Sequence, residues 1–221
     1  MNDSVYVFYF STQNLSEKFF IKAKQWLSPQ ELQVLAKRNG QQRTNFLASR
    51  YCLKQLIANQ FKCDLIDVTI CFNEKDKKIS AFLNSTNLPF SISISHKDNR
   101  LLIALSLTPS VLAVDLENIS KNRDFLSIAQ QVFSKQEYDE MKHVGDLNFY
   151  FYQLWTLKEC LVKATGQSLV KILGINTEQE LKHQKLNFST FVENDYIGTL
   201  LYSQYIVFNK VHFIKCLKFE N

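Results

Sequence analysis

The sequence predicts an α+β fold of two similar lobes, each a small antiparallel sheet packed on a long helix. Three observations predict it. Helical patterns give way to strand patterns and then do so again, once on each side of residue 110. Neither a long linker nor a low-complexity stretch interrupts the chain. Its 221 residues are 46% hydrophobic and 21% charged, enough to bury two cores and too apolar for a disordered chain. The expected lobes are 1–110 and 111–221, related by a pseudo-twofold, although no clear internal sequence repeat is visible.

Val5–Phe10 reads as a first strand. Ser28-Pro29-Gln30-Glu31 is a capping box with proline at the first helical position, and the helix it opens is expected to end near Gly40. A second helix is expected from Arg43 to Phe61. On its wheel Arg43, Arg50 and Lys54 fall between the apolar positions Phe46, Leu47, Leu53 and Ile57. Two readings fit that border: stems packed with charged heads in water, or a basic wall facing a bound anion. Strands follow at Asp67–Phe72, Lys78–Leu83, Phe90–Ser95, Leu101–Leu107 and Val111–Leu116, with His96-Lys97-Asp98-Asn99 as a turn. Ser134-Lys135-Gln136-Glu137 is a second capping box, opening a helix through Met141. Asp146 caps a helix from Leu147 to Thr165 that stops at Gly166. Beyond Leu169 the pattern alternates as strands: Phe188–Val192, Ile197–Tyr202, Tyr205–Phe208 and Val211–Leu217.

Charge is unevenly placed. Residues 1–60 carry eight basic and three acidic side chains, which accounts for the whole formal charge of +5, so an anionic partner is expected at the first quarter of the chain. The five glycines form neither G-x-G-x-x-G nor a Walker-type loop, so phosphates would have to be held by side chains, a metal or a plain helix N-terminus. Five cysteines, an odd number with no C-x-x-C spacing, read as buried free thiols of a cytoplasmic protein. The N-terminus lacks the basic region of a secretory signal. Apolar runs of about seven residues are too short to span a membrane.

Three pieces carry chemistry. In Val111-Leu112-Ala113-Val114-Asp115-Leu116-Glu117 a period of two puts Asp115 and Glu117 on one side of a strand, their Cβ atoms roughly 7 Å apart. Two carboxylates at the end of a buried strand repel each other and resist desolvation, and a divalent cation offsets both costs. Oxygen ligands with no nearby His or Cys pair favour Mg²⁺ over zinc. A polar strand face leaving the core is the plainer account. The second piece is the helix with Trp155, Lys158, Glu159 and Lys163 at i, i+3, i+4 and i+8, expected on one face. An i,i+4 surface pair of Glu159 with Lys163 is its plainer account. The third is Ser95-His96 at a strand end.

In this order and spacing, S-H, D-x-E and W-x-x-K-E-x-x-x-K resemble the 4′-phosphopantetheinyl transferases, in their long two-lobed form. Ser91–His96, Ala113–Glu117, Phe133–Tyr138, Phe151–Gly166 and Phe46-Leu47-Ala48-Ser49-Arg50 carry the resemblance. Ser93, Lys97 and Ala113 depart from the family's usual Asn, Ser and Gly. The resemblance implies Mg²⁺ held by Asp115, Glu117 and Glu159, with coenzyme A as co-substrate. It places the coenzyme A phosphates on Ser95-His96, Lys158 and Lys163, and the 3′-phosphate or adenosine end on Arg50, with Arg43 and Lys54 beside it. Glu159, or a water it activates, would be the general base, with Lys163 assisting the leaving phosphate. The implied partner is an apo acyl or peptidyl carrier protein, with no nucleic acid or membrane involved and a monomeric enzyme. Two rivals stand beside this reading: another Mg²⁺-dependent phosphoester enzyme, which should carry further metal ligands, and a basic nucleic-acid-binding protein.

Overall fold

A computed structural model describes residues 5–13, 15–75, 77–120 and 123–205, together with the backbone of a final strand at 211–214. The fold is α+β and falls into two compact units, Met1–Pro109 with Asn209–Asn221, and Ser110–Phe208.

In the first unit, β1 (Val5–Ser11), β2 (Val68–Asn73), β3 (Lys78–Leu83), β4 (Thr86–Lys97), β5 (Arg100–Ser106) and β9 (Val211–Ile214) form one sheet in the order β2-β3-β4-β5-β1-β9. It is larger than expected and not wholly antiparallel, because β9 runs parallel to β1, with Val5 opposite Val211. The helices are α1 (Glu17–Gln25), α2 (Pro29–Ala36) and α3 (Gly40–Phe61). Ser28 caps α2 through the full capping box with Glu31. Gly40 does not close that helix. It adopts φ +48°, a left-handed backbone that glycine takes without strain, and opens α3 instead. The expected turn also moves: β4 runs on through His96 and Lys97, and a two-residue connection, Asp98-Asn99, leads into β5, with Asp98 at φ +51°.

Helix α3 is buried on both sides. Ala48, Cys52, Leu53 and Ile57 pack on Phe8, Phe10, Ile70, Leu101, Ile103 and Leu105 of the sheet. Phe46, Leu47 and Tyr51 pack on Phe19, Ala23, Leu27 and Leu35 from α1 and α2. Arg50 and Lys54 of this helix are inside, so packed stems with heads in water do not describe them, whereas Arg43 is half-buried.

The second unit repeats the plan on a smaller sheet. Strands β6 (Leu112–Asn118), β7 (Leu186–Glu193) and β8 (Tyr196–Ser203) pair antiparallel in the order β6-β8-β7. Helix α6 (Leu147–Thr165) has the expected bounds: the Asp146 carboxylate accepts from the Phe149 amide at 2.9 Å, and Gly166 closes the helix in the left-handed conformation. One side of α6, with Leu157, Cys160 and Leu161, packs on Ala113, Leu186 and Leu201. On another, Phe151 and Tyr152 pack on Phe125, Ala129, Phe133 and Met141 from α4 (Phe125–Val132) and α5 (Lys135–Met141). The short helices α7 (Leu169–Ile172) and α8 (Thr177–Gln184) occupy a stretch expected to alternate as strands, and Ile172 and Leu181 complete the α6 core. Of the thiols expected to be buried, Cys52 and Cys160 are, whereas Cys63 and Cys71 are partly exposed. Cys216, most of the expected strand Tyr205–Phe208 and the end of Val211–Leu217 lie outside the described residues.

Candidate active site

Strand β6 brings Asp115 and Glu117 onto the sheet face that carries α6. Ala113, Asp115 and Glu117 alternate along it opposite Leu201, Thr199 and Ile197 of β8. The β8 neighbour of Asp115 is tied to the helix: the hydroxyls of Thr156 and Thr199 share a hydrogen bond of 2.7 Å, and Thr190 adds another at 3.2 Å. From the last turns of α6, Lys163 Nζ donates to the Val114 carbonyl at 2.7 Å and to Asp115 Oδ1 at 2.9 Å. Lys163 therefore reaches across to the strand to pair with Asp115.

Glu159 lies one turn before Lys163. Burial pushes its carboxyl above the usual range; Asp115 pushes the same way, Lys163 opposes, and Glu117 adds a further push. The three carboxylates named from the sequence thus share one electrostatic environment. In kind they fit a hard divalent cation, since all are oxygen donors and a bound cation would relieve the repulsion felt at Glu159. Among the described residues, no three His, Cys, Asp or Glu side chains stand close enough to grip a metal as they are. Among the described residues, the Lys163 ammonium places a positive charge beside Asp115, at 2.9 Å.

Lys158 has a different role from the one expected. Consecutive helix positions are turned about 100° apart, and Lys158 points away from the carboxylates into the protein, where it is wholly buried. Its ammonium pairs with Glu137 Oε2 at 3.1 Å and donates to the Ile175 carbonyl at 2.6 Å. Glu137 also receives the Ser134 amide at 2.9 Å and the Thr177 amide at 2.8 Å. An ammonium so occupied is not available to a phosphate, so Lys158 is a structural residue that fixes α6 to α5 and to the start of α8. The expected single stripe divides accordingly: Trp155 stacks on Phe151, Lys158 turns to Glu137, and Lys163 turns to β6.

The first unit contains the same construction, which the sequence reading missed. Lys54, wholly buried, pairs with Glu31 Oε2 at 2.8 Å and donates to the carbonyls of Trp26, at 2.7 Å, and Val68. It cannot serve as a phosphate contact for the same reason as Lys158. The available signal was Ser-x-Gln-Glu at 28–31 and again at 134–137, each followed by a lysine in the next long helix.

Arg50 stands one turn before Lys54 and is 7% exposed. Its guanidinium lies 4.3 Å from the centre of the Phe46 ring, and Arg38 lies 5.2 Å from the same ring. Both arginines line a cavity of about 170 Å³ together with Gln42, Ser49, Phe72 and His96. Burial lowers the Arg50 pKa to about 10; Glu31 opposes the shift and Arg38 adds to it, and the group stays cationic at neutral pH. His96 is exposed at the cavity, on the β4 face that turns towards α3, while Ser95 is buried on the opposite face. The two residues of the S-H pair therefore point apart. Arg43 is half-buried in α3 and does not line the cavity. Arg38, unnamed by the sequence reading, does.

Comparison with known proteins finds likeness centred on the second unit. The model of the 4′-phosphopantetheinyl transferase superfamily matches residues 111–210. The chain is also similar to 4′-phosphopantetheinyl transferases of the superfamily from three bacteria. It is 29% identical over 119 residues to Ffp of Bacillus subtilis, covering 53% of this chain and 50% of that one. It is 28% identical over 134 residues to HetI of Nostoc, covering 59% and 55%. It is 31% identical over 110 residues to AcpT of Escherichia coli, covering 49% and 54%. The chain thus spans about half the length of the curated transferases it matches. Among the described residues, no helix is long and apolar enough to cross a membrane.

Proposed function

We propose that this chain moves the 4′-phosphopantetheine arm of coenzyme A onto a serine of an apo acyl or peptidyl carrier protein and releases 3′,5′-ADP. The observation that carries the proposal is the superfamily match over 111–210, which spans Asp115, Glu117 and Glu159, the carboxylates that share one field at α6.

The serine oxygen attacks the β-phosphorus of coenzyme A. A new oxygen–phosphorus bond forms, the bond from that phosphorus to the bridging oxygen breaks, and the electron pair leaves with 3′,5′-ADP. Glu159, or a water it activates, takes the serine proton as general base. Lys163, partly exposed beside Asp115, supplies positive charge to the leaving phosphate. Asp115, Glu117 and Glu159 would hold Mg²⁺, whose contribution is to withdraw charge from the pyrophosphate oxygens. Arg50 and His96 of the cavity take the 3′-phosphate end of coenzyme A. Buried Lys54 and Lys158 have no part in phosphate binding.

The test is incubation of the chain with coenzyme A, Mg²⁺ and an apo carrier protein, followed by mass spectrometry of the carrier. A gain of one phosphopantetheine on the target serine is expected. Phosphoester hydrolysis without carrier modification would instead favour another Mg²⁺ enzyme. Salt-sensitive nucleic-acid binding indifferent to Mg²⁺ would favour the non-enzymatic rival.

A further inference from the structure

Arg50 is held from behind. Glu31 is 2% exposed, and its carboxylate is fixed from three elements. Oε2 accepts from the Ser28 amide at 2.9 Å and pairs with Lys54 at 2.8 Å, while Oε1 accepts from the Ile70 amide of β2 at 3.2 Å. The same Oε1 faces Arg50 Nε at 3.7 Å, an ion pair too long to count as a hydrogen bond. We propose that Glu31 is a positioning residue, fixing the Arg50 guanidinium at the wall of the cavity so that it receives the 3′-phosphate of coenzyme A. This rests on the reading of Arg50 given under Proposed function.

Three further observations support it. First, a carboxylate beside an arginine would normally cancel its charge for a ligand. Here Lys54 neutralises Glu31, so the carboxylate orients Arg50 while the cavity wall stays cationic. Second, Arg38 and Arg50 share one face-sized partner, the Phe46 ring, at 5.2 and 4.3 Å, and they repel each other there. Two cations kept together in this way, Arg50 buried and Arg38 half-buried, are relieved by a bound anion. Third, the second unit has the Glu137–Lys158 pair without an arginine, since Leu154 stands four residues before Lys158 where Arg50 stands four before Lys54. The carboxylate–lysine pair therefore serves the fold in both units, and the contact to arginine is an addition in the first.

The experiment is calorimetric titration of the full chain, in the presence of Mg²⁺, with coenzyme A and with dephospho-coenzyme A, which lacks only the 3′-phosphate. Wild type should prefer coenzyme A by about tenfold or more, as expected for one charge-assisted contact in a buried site. Arg50→Ala should erase the preference. Glu31→Gln removes the charge that orients Arg50 and should cut the preference by about threefold or more, mainly through weaker binding of coenzyme A. Glu31→Asp keeps a charge for Lys54 but withdraws the carboxylate from Arg50 by about 1.5 Å, one bond length, and should fall in between. Glu137→Gln is the control: it loosens the equivalent pair and should leave the preference at the wild-type value. Should Arg50→Ala keep the preference, the 3′-phosphate reading of Arg50 is wrong. Should Arg50→Ala lose it while both Glu31 variants, folded by circular dichroism, keep it or weaken both ligands equally, Glu31 is only a fold residue and the inference is overturned.

Discussion

Replacing Lys158 by methionine tests the central correction to the sequence reading. Methionine keeps most of the stem and removes the ammonium, which is wholly buried between Glu137 Oε2 at 3.1 Å and the Ile175 carbonyl at 2.6 Å. Breaking one side of a buried ion pair costs about 3–5 kcal/mol, because the other charge is left uncompensated. Glu137 still keeps the Ser134 and Thr177 amides at 2.9 and 2.8 Å, which moves the charge term towards the lower end. The Ile175 carbonyl loses a donor, which adds about 1–3 kcal/mol if no water replaces it. A loss near 4 kcal/mol is expected, a large share of the roughly 5–15 kcal/mol that holds a domain folded. Urea unfolding followed by circular dichroism measures it. The pH dependence has a definite sign. Burial works to raise the Glu137 carboxyl, but bonds from Thr177 and the Lys158 ammonium outweigh it and hold the group below its usual range. A depressed carboxyl contributes stability above its unfolded pKa and loses it as pH falls through the folded value. The gap between wild type and Lys158→Met is therefore full at pH 7 and closes below the usual carboxylate range. A deficit under about 1 kcal/mol at pH 7, typical of surface pairs, would refute the reasoning, as would a deficit that ignores pH.

Glu159→Gln should raise the melting temperature at pH 7, because a carboxyl with a raised folded pKa penalises the fold once ionised; the gain should vanish on acidification below the usual carboxylate range. Mg²⁺ should stabilise wild type against heat and leave Glu159→Gln almost unmoved, as seen by scanning calorimetry. Asp115→Ala should abolish carrier modification by mass spectrometry while costing only about 1 kcal/mol, since its pair with Lys163 is partly exposed. Asp146→Ala should cost about 1 kcal/mol in urea without affecting transfer, because it removes only the cap of α6.

Local chemistry made much of this fold readable. Both capping boxes, the span from Asp146 to Gly166 and the alternation of Asp115 with Glu117 depend on neighbours a few residues away. Contacts across the chain escaped. Whether a lysine on a helix meets solvent or a carboxylate depends on what covers the helix, and Glu31 and Glu137 lie 23 and 21 residues before their lysines. Wheel geometry gave Arg50 and Lys54 a border because α1 and α2 were not yet known to cover α3. Helix α8 was overlooked because its polar run shows little apolar periodicity, although Asn176 caps it at the Gln179 amide. Arg38 carried no signal; only its position over Phe46 brings it to the cavity.

The parallel partnership of β9 with β1 has a consequence for vectorial synthesis. The ribosome must complete residues 110–208 before the last strand of the first sheet emerges, a delay of about 5–20 s at ordinary translation rates. Throughout that interval the nascent β1 offers its Val5–Phe8 backbone as an open template for any passing strand, so overexpression without chaperones should lose material at that stage.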